Sequence, residues 1–232
     1  MVVRTRHRSG LRRKRPTLAD SDDAFVLAAT AEQRRQFAAL ISDLDDAQLA
    51  TPSLCTGWDV KTVAAHVVST VLDGTPGFLR MAVRCGSLSR GIDVLARRRA
   101  QAPIADILSE LREHATRPIS SPVFGPRGPL TDVLIHTGDV RIPLGLTFEP
   151  DARHAASAMD FVTTGWPIGF VPLGRLRGIR LSANDVSRSW RDGVEVSGPV
   201  AALLMSVCGR TAALPELDGP GVDVLRRRLS AQ

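Results

Sequence analysis

From residue 22 onward, apolar positions recur with a helical period. Ser21 with Asp22 and Asp23 offers an N-cap and acids that complement a helix dipole, and Phe37, Leu40, Ile41 and Leu44 share one face, predicting a first helix over about 22–45. Turn-forming residues fill 51–57. Val60, Val63, Ala64, Val67 and Val71 then predict a second helix from Trp58 to near Gly74, with Pro76 and Gly77 beyond it. Ile92, Leu95, Ile104, Ile107, Leu108 and Leu111 place a third within 91–117, broken or kinked at Pro103. The stretch 118–129 carries four prolines and two glycines and reads as a loop, and Leu130 opens a fourth helix reaching about Gly145. Four helices with a long crossover predict a bundle.

A fifth helical segment, about 151–164, leads into a stretch rich in glycine and β-branched residues. Ile179 to Ala183 alternates apolar and polar positions, and Ser187 to Arg191 can return beside it as a partner strand. Pro199 stands where a first-turn proline belongs, and Val200 to Val207 followed by Gly209 reads as a helix with its glycine stop. The expectation is therefore a mainly α protein with a small α/β part: a tail over 1–20, a helical bundle over 21–165 and a small C-terminal α/β domain over 166–232.

Composition changes this picture little. An apolar fraction of 44% and a charged fraction of 23% over 232 residues are ordinary for a folded protein. No apolar run approaches the roughly 20 residues of a membrane span, and no secretory leader follows the N-terminal arginines, so a cytoplasmic protein without a membrane role is expected. Cys55, Cys85 and Cys208 form no C-x-x-C pair and read as reduced, small buried residues. The formal charge of +6 comes from the tail: Arg4, Arg6, Arg8, Arg12, Arg13, Lys14 and Arg15 precede the first acid, and without them 23 basic residues face 24 acidic ones. A solvated extension explains this better than nucleic-acid binding, for which the remaining sequence carries no reader motif.

Chemistry concentrates on the fourth helix. Asp132, His136 and Asp139 are spaced four and three apart and share one face, while Leu130, Val133, Leu134, Ile135 and Val140 cover the rest. A carboxylate and an imidazole buried in a bundle must be paired, hydrogen-bonded or coordinated. An Asp and a His at this spacing can project onto one ion, with a third ligand from a facing helix; His66, on the shoulder of the valine stripe, is the best-placed candidate. Two histidines and a carboxylate suit zinc in an open site and also suit iron(II), with nickel left as a further option. Pattern alone does not choose between such a site and a salt-bridged polar stripe. Asp139 is either a group that orients His136 or an ordinary helix position. Arg210 can bind a carboxylate of substrate or thiol, although capping of the preceding helix explains it more simply. Trp58 reads as interhelical packing, Arg80 and Arg84 as solvated, and His114 and His154 carry no assigned role.

Three stretches resemble the mycothiol-dependent maleylpyruvate isomerase family. Residues 50–66, Ala-Thr-Pro-Ser-Leu-Cys-Thr-Gly-Trp-Asp-Val-Lys-Thr-Val-Ala-Ala-His, are similar to that family's entry into the helix bearing its first histidine ligand. Residues 132–145, Asp-Val-Leu-Ile-His-Thr-Gly-Asp-Val-Arg-Ile-Pro-Leu-Gly, resemble the helix bearing its carboxylate and second histidine. Val196-Ser-Gly-Pro, Cys208-Gly-Arg-Thr-Ala-Ala and Leu217-Asp-Gly-Pro-Gly resemble its C-terminal segment. The resemblance implies a DinB-like four-helix bundle with His66, Asp132 and His136 on a divalent metal, usually zinc, and mycothiol as thiol cosubstrate. It also implies a small electrophilic substrate isomerised by thiolate addition, bond rotation and elimination. Here the carboxylate is Asp where the isomerase carries Glu, which demands closer helix packing or a slightly displaced ion, and the absence of tyrosine leaves substrate contacts unidentified. The alternative is a metal- or thiol-binding module without turnover.

Overall fold

The computed structural model describes residues 18–119, 125–164, 167 and 169–230, so the arginine-rich stretch 4–15 lies outside the described residues. Helix α1 (Leu18–Ser42) starts inside the stretch expected as tail and is followed by a short α2 (Asp46–Leu49) and by α3 (Val60–Leu72). Both short-range starts are capped by side chains. Asp45 accepts from the Gln48 N–H at 2.8 Å while Gln48 reaches back to the Asp45 N–H, and Asp59 accepts from the Thr62 N–H at 2.7 Å.

The expected third helix is two, α5 (Leu88–Arg99) and α6 (Ile104–Glu113), separated just before Ile104 by Pro103 as its fixed geometry requires. An unexpected helix, α4 (Gly74–Cys85), precedes them. Pro76 falls in its first turn, where no N–H is needed, so the residue read as a stop is compatible with a start. Helices α4 and α5 form a hairpin closed at Gly86, whose φ of 67° is left-handed. Gly91 permits their contact: a Cβ there would lie 2.8 Å from the Ala82 nitrogen and 2.9 Å from the Met81 carbonyl carbon.

Helix α7 (Arg127–Arg141) begins inside the stretch expected as loop, and α8 (Ala152–Thr164) follows. One side of α7 places Val133 and Val140 against Phe37 and Ile41 of α1, the valines of α3 and Leu111 of α6. Another places Leu130, Leu134 and Ile135 in a second apolar cluster with α8 and the C-terminal elements. Full burial of each such leucine contributes about 1.5–3 kcal/mol, enough to hold the helix in place while its remaining face carries polar groups.

The C-terminal part has a three-stranded sheet of order β2-β1-β3, from β1 (Ile179–Ala183), β2 (Arg188–Trp190) and β3 (Val194–Gly198). The first two pair antiparallel, with Leu181 opposite Trp190; β3, which the sequence pattern did not reveal, pairs parallel with β1, Leu181 opposite Val196. Helix α9 (Val200–Val207) is buried along its whole length between the sheet and α8. The Val200 N–H at its start donates to the Asp185 carboxylate at 3.0 Å. A 3-10 turn (Thr211–Glu216) and α10 (Val222–Ser230) complete the chain. Among the described residues no helix is long and apolar enough to cross a membrane.

Alanine in place of a helical glycine ordinarily stabilises by about 1 kcal/mol. At Gly91 the close backbone of α4 reverses the sign: Gly91→Ala is expected to cost ~1–3 kcal/mol, read as a lower denaturation midpoint at unchanged slope.

Candidate metal centre

The second turn of α7 aims Asp132 at the valine-lined helix α3. His66 Nε2 lies 3.6 Å from Asp132 Oδ1, and His136 Nε2, one turn further along α7, lies 3.5 Å from the same oxygen. The two imidazoles meet edge to face with centroids 4.7 Å apart. All three side chains are largely buried, at 7%, 17% and 10% exposure for His66, Asp132 and His136. Ligand atoms on a tetrahedral ion with bonds of about 2.0–2.1 Å lie roughly 3.3 Å apart, so this convergence needs only a small contraction to share one divalent ion. Helices α3 and α7, which carry the three side chains, pack directly on one another.

The separations of 3.5 and 3.6 Å are too long for good hydrogen bonds, which leaves the three groups close but weakly satisfied. His66 is the extreme case. Its Nδ1 is buried and has no hydrogen-bond partner, while the ring is held by packing, 5.1 Å from Trp58 and 6.1 Å from Phe78 between centroids. A buried nitrogen left unpaired costs about 1–3 kcal/mol, tolerable where the opposite nitrogen gains a strong partner. A cation on Nε2 is such a partner, so the residues present fit a divalent metal.

Charge follows the same geometry. Burial pushes the Asp132 carboxyl upward, but the positive charge of His136 and the approach of both imidazoles outweigh it and hold it well below the usual carboxylate range. Burial drives the His66 imidazole down; at His136 the Asp132 carboxylate overcomes burial and raises it well above an ordinary histidine.

Behind His136 stands Asp139, whose side chain is fully buried. His136 Nδ1 is 2.9 Å from Asp139 Oδ2, so a neutral His136 donating there leaves Nε2 free as a ligand atom. Arg210 grips the same carboxylate with two bonds, Nε to Oδ1 at 2.8 Å and Nη2 to Oδ2 at 2.6 Å, while its Nη1 donates to the Cys208 carbonyl at 2.8 Å. Of the two sequence readings of Arg210, the capping one is met through Nη1 at the end of α9; the carboxylate it binds is the internal one of Asp139 and not one of a substrate or thiol. Burial raises the Asp139 carboxyl, but Arg210 and His136 outweigh it and keep it low; burial opposes the Arg210 charge, and Asp139 outweighs that too.

Cys55, expected to be a small buried residue, instead donates from Sγ to Asp139 Oδ2 at 3.0 Å. Cys55, His136 and Asp139 thus form a second group within metal-binding distance of one another. Arg210 decides against it, because an ion there would sit beside a guanidinium that already occupies both Asp139 oxygens. Cys208 is buried, and burial pushes its thiol up to about 12. His154 is buried and meets Gln33 at 3.2 Å, away from this cluster. Trp58, expected to pack between helices, lies against His66 of α3 and donates from Nε1 to Asp93 of α5 at 2.7 Å. Asp139 was legible as the third member of the α7 stripe; Cys55 lay within the stretch 50–66 that carries the resemblance but was read there only as a small buried residue.

Removing the cation from this buried pair is expected to be costly. Arg210→Ala should destabilise the protein by ~3–5 kcal/mol in denaturant titrations. The depressed Asp139 carboxyl contributes stability that is present above its unfolded value of about 4 and lost as the pH falls toward its folded one. Asp139→Asn should therefore flatten part of the acid limb of the metal-free protein's stability profile.

Residues 30–121 match the family described as mycothiol maleylpyruvate isomerase N-terminal domain. That span contains His66 and ends before Asp132 and His136. In fold the chain is similar to the mycothiol-dependent maleylpyruvate isomerase, whose crystal structure is 16% identical with a TM-score of 0.53, the match covering 86% of this chain and 90% of that one. A histidine-to-alanine variant of that enzyme matches with 15% identity and a TM-score of 0.55, covering 86% and 92% of the two chains. No curated protein matches the chain. The resemblance read in the sequence is thereby borne out, over residues 30–121 by the domain match and over most of the chain by the shared mainly helical fold with its small C-terminal sheet.

Proposed function

We propose that this chain is a divalent-metal protein, with His66, Asp132 and His136 as ligands, that uses a low-molecular-weight thiol of the mycothiol type to transform a small electrophile, as an isomerase or thiol transferase. The observation that carries the reading is the convergence of two histidine Nε2 atoms from different helices on one Asp132 oxygen, with the far side of His136 held by a buried carboxylate. The domain match and the shared fold support the thiol-dependent part of it. Zinc suits a donor set of two imidazoles and one carboxylate, with iron and nickel as competitors.

A bound divalent ion would supply Lewis acidity and lower the pKa of a thiol that coordinates it. The protein's own residues do the rest. Asp139 holds His136 in one orientation, Trp58 and Phe78 fix the His66 ring, and the aliphatic faces of α3 and α7 keep water from the buried sides of the site. The limited exposure of all three ligands favours a second reading, in which metal is held without turnover.

Direct metal analysis of the purified protein tests the ligand set. Near-stoichiometric metal is expected in the wild type, with severe loss in His66→Ala, Asp132→Ala and His136→Ala; metal retained unchanged in the two histidine variants would remove the site. A panel of small electrophiles, each assayed with mycothiol, separates the two readings. Thiol-dependent conversion that is lost in the same variants is expected, whereas intact metal with no conversion favours the binding module.

A further inference from the structure

The turn between α2 and α3 does more than connect two helices. Its Leu54 N–H donates to the Asp139 carbonyl at 3.1 Å, and its Cys55 thiol donates to the Asp139 carboxylate at 3.0 Å. The turn is itself fixed: the Cys55 N–H donates to Ser53 Oγ at 3.1 Å, and the Trp58 N–H to the Cys55 carbonyl at 2.9 Å. Eight residues after Trp58 the same segment, now helical, presents His66. Cys55 Sγ also lies 3.7 Å from His136 Nδ1 and 3.7 Å from Arg210 Nη2.

We propose that Cys55 is a positioning residue for the metal ligand His136, acting through Asp139. This rests on the ligand set proposed above. Oδ2 of Asp139 receives three donors, from His136, Arg210 and Cys55. Arg210 ties the carboxylate to the end of α9, and Cys55 ties it to the segment that leads into α3. The thiol thereby references the orientation of His136 to the helix that carries His66, so both imidazoles are set relative to one carboxylate. Serine, a shorter donor, can still reach that oxygen; alanine cannot donate at all.

The inference is tested on the full chain, stripped of metal and titrated with cobalt(II) without added thiol. Loss of a group that orients a metal-bound histidine typically costs about 10–100-fold in metal affinity, and that is expected for Cys55→Ala. Cys55→Ser should return to within a small factor of wild type, and the wild-type cobalt spectrum should show no sulfur-to-metal charge-transfer band. Cys55→Ala binding as tightly as wild type overturns the proposal, as does a serine variant as weak as alanine. A charge-transfer band that vanishes in Cys55→Ser would make the thiol a ligand and equally overturn it. Should Cys55→Ala not fold, Cys55→Val, which fills the space of the thiol but cannot donate, takes its place in the same titration with the same expected and overturning results. His136→Ala run alongside keeps the two claims apart: undiminished cobalt binding there refutes the ligand set itself, while lost binding there with an unaffected Cys55→Ala refutes only the role of Cys55.

Discussion

The carboxylate of Asp139 has no exposed side-chain surface, and a charge so placed is tolerable only with partners on every side. It receives them from its own helix and from two distant parts of the chain: His136 one turn away, Cys55 before α3 and Arg210 after α9. Each of these contacts satisfies Asp139 and, in the same act, fixes something else. His136 is turned so that Nε2 faces Asp132, the turn into α3 is anchored, and the C-terminal part is fastened to the bundle. One ion-pair cluster thus orients His136 and ties the start of α3 and the end of α9 to α7, beside the apolar cluster that packs α7 and α8 on the C-terminal elements.

Helix α7 makes that cluster necessary. Its leucines and valines feed two apolar clusters on different sides, so no face remains on which a polar residue could be freely solvated. Asp132, His136 and Asp139 occupy the strip that is left, and each answers the cost of burial differently. Asp139 is fully paired, whereas Asp132 and the two imidazoles stand 3.5 and 3.6 Å apart with His66 Nδ1 unpartnered. The contrast between a saturated carboxylate and an under-satisfied one, two turns apart on a single helix, is what distinguishes the supporting group from the group with ligating capacity to spare. It also explains why the neighbouring Cys55, His136 and Asp139 set is a poor home for a cation despite its donor types.

The strip on α7 was legible in the sequence because helical periodicity is local: Asp132, His136 and Asp139 share a face whatever surrounds them. The valine stripe of α3, the α9 helix behind Pro199 and the pairing of β1 with β2 were legible for the same reason. What escaped notice depends on contacts between distant segments. Helix α4 contains Pro76 and Gly77, which read as a stop, and owes its place to the close backbone of α5 at Gly91. Strand β3 is defined by its parallel register with β1. The Cys55–Arg210 approach joins residues 155 positions apart, and nothing in either local sequence encodes it.

The most direct measurement is a crystal structure of the protein as purified, with anomalous diffraction recorded on both sides of the absorption edge of the metal found in it. The expected result is a single strong anomalous peak between His66 Nε2, His136 Nε2 and the Asp132 carboxylate, with Asp139 still held by Arg210. A peak on Cys55 and Asp139 with Arg210 displaced, or His66, Asp132 and His136 closed upon one another with no ion among them, would contradict it.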